Sequence, residues 1–152
     1  MRTPLIGALA VALPLAALLA APAEAAPNVQ ITYVRYDAQG KDTKKNVNGE
    51  YVVVTNKSGK KVNLAGWTLG QTSRLGDSKY IFYFPARGVW VQPGKSVTMR
   101  MGEGKKTVKY VYQGLRKHTW PNTKGAAYLF DPSNARVDGC TWNNAKSDFK
   151  RC

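Results

Sequence analysis

A single histidine, two cysteines and nine acidic residues in a chain of 152 leave little material for most kinds of catalytic centre. Two cysteines and one histidine do not make a four-ligand metal set, so no metal or other cofactor is implied. No serine stands in a nucleophile-elbow pattern. The acids beyond Glu24 are scattered, whereas a paired-carboxylate hydrolase needs two that converge to roughly 5–9 Å. His118 follows Arg116 and Lys117 and reads as a solvated surface residue, not a base. Amphipathic helical periodicity, internal repeats and low-complexity linkers are also missing, which argues against a helical architecture. An enzyme is not expected.

After the first two dozen residues no long apolar run occurs. The one at the start has the layout of an export signal: Arg2, an alanine-rich stretch from Leu5 to Ala21, and small residues at Ala23 and Ala25. Cleavage is expected after Ala25, leaving residues 26–152 as one domain. Pro4 precedes the stretch and Pro14 interrupts it, and it is short for a membrane span, so a transmembrane anchor is not expected. The predicted location is secreted, or extracellular. In that oxidising setting Cys140 and Cys152 are read as a disulfide tying the terminal tail to the last strand.

What the chain does have is β-branched and aromatic alternation broken by Gly, Pro and Asn turns. Val29 to Tyr36 reads as a first strand, followed by an exposed, mobile connection over Asp37 to Asn48. In GEYVVVTNKSGKKVNLAGWTL, residues 49–69, the run Tyr51 to Thr55 ends at Asn56-Lys57-Ser58-Gly59. The chain is expected to reverse there and return through Val62, Leu64, Trp67 and Leu69. Next come Tyr80 to Phe84, Val89 to Val91, and the turn Gln92-Pro93-Gly94-Lys95. The alternating strand Val97 to Met101 is followed by Thr107 to Tyr112. Ala126 to Phe130 and Arg136 to Trp142, joined by Asp131-Pro132-Ser133-Asn134, predict a terminal hairpin. Asp131 and Asp138 are expected to serve turns. About eight short strands of this kind predict an all-β, antiparallel sandwich or barrel.

The succession of these segments resembles the lamin tail domain, which implies an immunoglobulin-like antiparallel β-sandwich and, here, the exported bacterial single-domain type. The matching segments are GEYVVVTN (49–56), VNLAGWTL (62–69), Tyr83-Phe84-Pro85, VQPGKSVTM (91–99), and Trp120-Pro121-Asn122 through LFDPSNARVD (129–138). Together they cover roughly Val29 to Trp142. Lys124-Gly125 replaces the Gly-Asp often found before the penultimate strand, and the Cys140 to Cys152 link is not a general family feature. Nuclear filament functions do not carry over to a chain without a rod.

The remaining signal is charge. The chain carries 23 basic residues and a net charge of +14, and Arg2 and Glu24 cancel, so the excess belongs to the mature domain. Lys44-Lys45, Lys57 with Lys60-Lys61, Lys105-Lys106 with Lys109, Arg116-Lys117, and Lys146 with Lys150-Arg151 lie mostly in predicted turns. One such cluster is ordinary surface; several, with few acids between them, favour a face for an extracellular polyanion such as nucleic acid or an anionic envelope polymer. Candidate contacts are Lys57, Lys60, Lys61, Lys105, Lys106, Lys109, Arg116 and Lys117. Trp120, in a loop beside cations, either stacks on a base or sugar ring or caps the end of the sandwich. Trp67, Phe82, Phe84 and Phe130 read as core. Asn56-Lys57-Ser58 is formally a glycosylation sequon. The alternative function is a structural or protein-interaction domain whose charge only aids solubility, working through a sheet edge or apolar patch.

Overall fold

A computed structural model describes residues 27–152; the expected leader and its cleavage site lie outside the described residues. The strands are β1 (Val29–Arg35), β2 (Tyr51–Asn56), β3 (Val62–Asn63), β4 (Thr68–Gly70), β5 (Ile81–Tyr83), β6 (Trp90–Val91), β7 (Ser96–Arg100), β8 (Tyr110–Tyr112), β9 (Lys124–Phe130), β10 (Arg136–Asn143) and β11 (Phe149–Arg151). One sheet runs β11-β1-β2-β7-β8 and another β10-β9-β4-β5, while β3 and β6 pair by themselves. The two larger sheets enclose one apolar core, giving an immunoglobulin-like β-sandwich.

Alternation builds that core. On β7, Val97 and Met99 are fully buried while Thr98 and Arg100 look outward. On β2, Val52 and Val54 face in and pair with Met99 and Val97. Leu69, Phe82, Ala127 and Leu129 supply the opposing face. Each large side chain removed from water contributes roughly 1.5–3 kcal/mol, and this burial, not local propensity, holds such short strands together.

Several expectations change. Among the described residues there are eleven strands rather than about eight, because the return segment 62–69 divides into β3 and β4 and the exposed β11 carries little pattern. The segment after Asn56 does not fold back onto β2: β3 pairs β6, and β4 joins the other sheet between β5 and β9. One pairing is parallel, β7 with β8. The connection from Asp37 to Asn48 is anchored, with Ala38 and Val47 buried and Asn46 accepting from the Thr43 N–H at 2.8 Å. The β9–β10 hairpin forms as expected, with the Asp131 carboxylate accepting the N–H groups of Ser133 and Ala135. Asp138, read as a turn residue, instead accepts the Ile31 N–H at 2.7 Å, bridging from β10 to the bulge in β1. The Cys140–Cys152 disulfide is present and joins β10 of one sheet to the end of β11 in the other.

Candidate functional site

Asn56, at the end of β2, organises one edge of the molecule. Its side chain is buried and donates to the carbonyls of Lys60 (2.7 Å) and Val91 (2.9 Å), while its oxygen accepts from the Ser58 N–H and hydroxyl. Its backbone N–H donates to Lys95 and its carbonyl accepts from Gly94. One amide therefore pins the lysine-bearing loop 57–61, strand β6 and the turn 92–95 to each other. Both amide atoms are engaged inside the fold, so the sequon is not available for modification in the folded chain.

On β6 the alternation that buries Val89 and Val91 turns Trp90 outward, 55% exposed. The preceding turn holds Gly88 at φ +74, where a Cβ would collide with the Asn63 side chain, so only glycine fits. The Lys61 ammonium lies 4.9 Å from the centre of the Trp90 ring, a cation–π contact. Lys106 reaches the same place and donates to the Gly88 carbonyl at 3.1 Å. From the other side the parallel pairing sets Tyr110 beside Thr98, with the Thr98 N–H donating to the Lys109 carbonyl. Trp90, Lys95, Thr98, Val108, Lys109 and Tyr110 thus line an open groove of about 450 Å³, and none of the residues lining it is acidic.

Of the predicted cations, the structure therefore brings Lys61 and Lys106 to the surroundings of Trp90 and Lys109 to the groove lining, and adds Lys95; Lys57, Lys60 and Lys105 stand on the same loops but do not line the groove. The other candidates lie elsewhere. Arg116 pairs with Glu103 at 3.2 Å, beside a depression that Lys44 and Lys45 also line. Lys117 sits 5.1 Å above the Tyr80 ring, which Lys79 also approaches.

Trp120 is corrected as a ligand contact. It is 2% exposed, its ring 5.1 Å from Phe82 and 6.0 Å from Trp142, so it closes the sandwich and offers no face to a ligand. His118 is corrected as well: its side chain is 11% exposed, and its Nδ1 lies 3.2 Å from Glu50 Oε1 and 3.5 Å from Asp42 Oδ1. Its Nε2 meets the Thr43 carbonyl and Asn46 Oδ1. Glu50 is wholly buried, accepts the Thr119 and Trp120 N–H groups, and has its carboxyl pushed up by burial against the opposing pull of those bonds and of His118. Asp37, raised by burial and by Asp42 and Asp148, lies in the same region, where Arg35 pairs with Asp148. These acids converge, but as a closed packing node that locks the 37–47 connection to the 115–122 loop. Among the described residues no group of three or more His, Cys, Asp or Glu is arranged to hold a metal ion.

Trp90 and Lys95 are not among the sequence-based candidates. The signal for Trp90 was nonetheless there, since two valines flanking a tryptophan in a strand put the ring on the outer face. Lys95 carries no signal beyond its turn.

The fold is that of a binding or structural β-sandwich module. Residues 22–144 match the Lamin Tail Domain family, and the chain belongs to that family. No curated protein matches the chain.

Proposed function

We propose that this protein is an exported, non-catalytic module that holds an extracellular polyanion, nucleic acid or an anionic envelope polymer, in the groove beside Trp90. The observation that carries the reading is a groove lined by Lys95 and Lys109 and by no acid, with Lys61 over the Trp90 ring and Lys106 on the adjacent Gly88 carbonyl. By contrast Arg35, Arg116 and His118 each face a carboxylate. Counterion release by four lysines predicts that log affinity falls with log salt with a slope of about −3 for a single strand. Binding to DNA and to isolated cell walls at low salt tests the reading. Replacing Lys61, Lys106 and Lys109 by glutamate is expected to abolish it, and retention of full binding by that variant would overturn it.

The protein-interaction alternative gains less support. At the β5 edge Tyr83 is exposed, but the Gln113 side chain accepts the Tyr83 N–H and donates to its carbonyl, occupying the positions an added strand would use.

A further inference from the structure

We infer that the groove is built for single-stranded nucleic acid, with Trp90 as the platform on which one base stacks. This rests on the polyanion reading and narrows it. Lysines alone would serve any polyanion; what needs explaining is the large apolar surface set among them. Of the four tryptophans, Trp67, Trp120 and Trp142 are at most 4% exposed, whereas Trp90 is 55% exposed. Its position is fixed by the β3–β6 pairing, by the glycine-only turn at Gly88 and by the Asn56 network, so the ring is presented on a framed backbone.

Tyr110 is a second exposed ring lining the same groove, and Lys95 and Lys109 line it with the rings. Aromatic surfaces interleaved with cations along a concave track are the arrangement that binds unpaired strands: phosphates meet the lysines while a base lies on a ring. The Lys61 ammonium lies over the Trp90 indole, so a phosphate bound there would bring its base to the ring surface that lines the groove. A duplex keeps its bases paired and stacked and has no free π-face to offer. A polyphosphate or a teichoic-type wall polymer has none at all. The role the sequence offered to Trp120 therefore falls to Trp90.

The test uses the full chain at low salt with four probes: oligothymidine, a duplex of equal length, inorganic polyphosphate of matched charge, and vesicles containing phosphatidylglycerol. Because the other tryptophans are buried, the solvent-exposed part of the intrinsic emission reports Trp90. Oligothymidine is expected to quench that emission and to bind about tenfold or more tightly than polyphosphate, the range one base–aromatic stack supplies. Trp90→Ala should lose that advantage, so that oligothymidine binds the variant no more tightly than polyphosphate does, and Trp90→Phe should keep part of it. Equal affinity for all three soluble probes, with Trp90→Ala silent, overturns the inference and leaves the polyanion reading standing. Vesicle binding with a blue shift of Trp90, and no binding of oligothymidine, overturns it in favour of a membrane surface. If none of the four probes binds, both fall.

Discussion

Trp90 and Trp120 both have basic residues close by in the chain, yet the fold treats them in opposite ways. Trp120 follows Lys117 and His118, and its surroundings are made neutral: His118 meets Glu50 and Asp42, Glu50 takes the Trp120 N–H, and the ring disappears between Phe82 and Trp142. Trp90 keeps its ring in water, with lysines gathered near it and no acid lining its groove. A tryptophan beside cations is thus not a signal in itself. What decides its role is whether acids from distant parts of the chain arrive to cancel the charge, because only a neutralised cluster can be buried without a large desolvation cost.

The sharpest way to break the contrast is to truncate both rings. Trp120→Ala removes a buried indole and should cost about 4 kcal/mol of unfolding free energy, whereas Trp90→Ala should stay within about 0.5 kcal/mol. Urea unfolding followed by circular dichroism measures both, and equal losses would dissolve the distinction. Next in size, Glu50→Ala should cost about 3 kcal/mol, since it leaves the Thr119 N–H and the His118 ring without their buried partner.

The same node gives a pH effect of known sign. Burial raises the Glu50 carboxyl above the ordinary glutamate range, so between the ordinary and the raised value the folded state holds a proton that the unfolded chain has released. Stability is therefore lost as pH rises through that window, by at most about 1.4 kcal/mol per pH unit for one group. Subtracting the profile of Glu50→Gln from that of the wild type should isolate this slope. Asp37 contributes in the same direction, which is why the variant is needed. A difference profile that is flat or rises with pH would refute the assignment.

The smallest effect separates the lysines of the groove from the other cations. Lys61→Glu with Lys109→Glu should weaken oligonucleotide binding roughly tenfold or more at low salt, while Arg116→Glu with Lys117→Glu should change it by less than about threefold. Fluorescence anisotropy would resolve the two, and a larger loss from the second pair would move the binding face to the other side of the molecule.

The parts of this contrast that could be read from the sequence are those with local pattern. Alternation marked β2 and β7, turn chemistry marked the β9–β10 hairpin, and the cysteine pair marked the link between tail and strand. The Glu50–His118 node was hidden because its partners lie far apart in the chain, Glu50 standing 69 positions before the Thr119 amide it accepts. No local pattern reports a contact made by topology alone. The convergence of Lys61 with Lys106 and Lys109 was hidden for the same reason, since it depends on β6 pairing with β3 and on β8 lying parallel to β7. In Trp90 the information was local but brief: three residues, with only two in the strand, give alternation little room to declare itself.

Strand β11 has no buried residue of its own, yet it covers β1, pairing Tyr33 with Arg151 and Arg35 with Phe149, and the Cys152 N–H donates to Thr32. Phe149 stacks on Tyr33 at 5.3 Å, Arg35 pairs with Asp148, and the Cys140–Cys152 bond fastens the far end of the strand. Reduction would therefore do more than subtract a cross-link. It would free the end of the outermost strand and let the edge it covers on β1 open more often to water. The two sulfurs thus set how tightly the sheet is closed at its edge: amide exchange along β1 should quicken when they are reduced and slow again once they are joined.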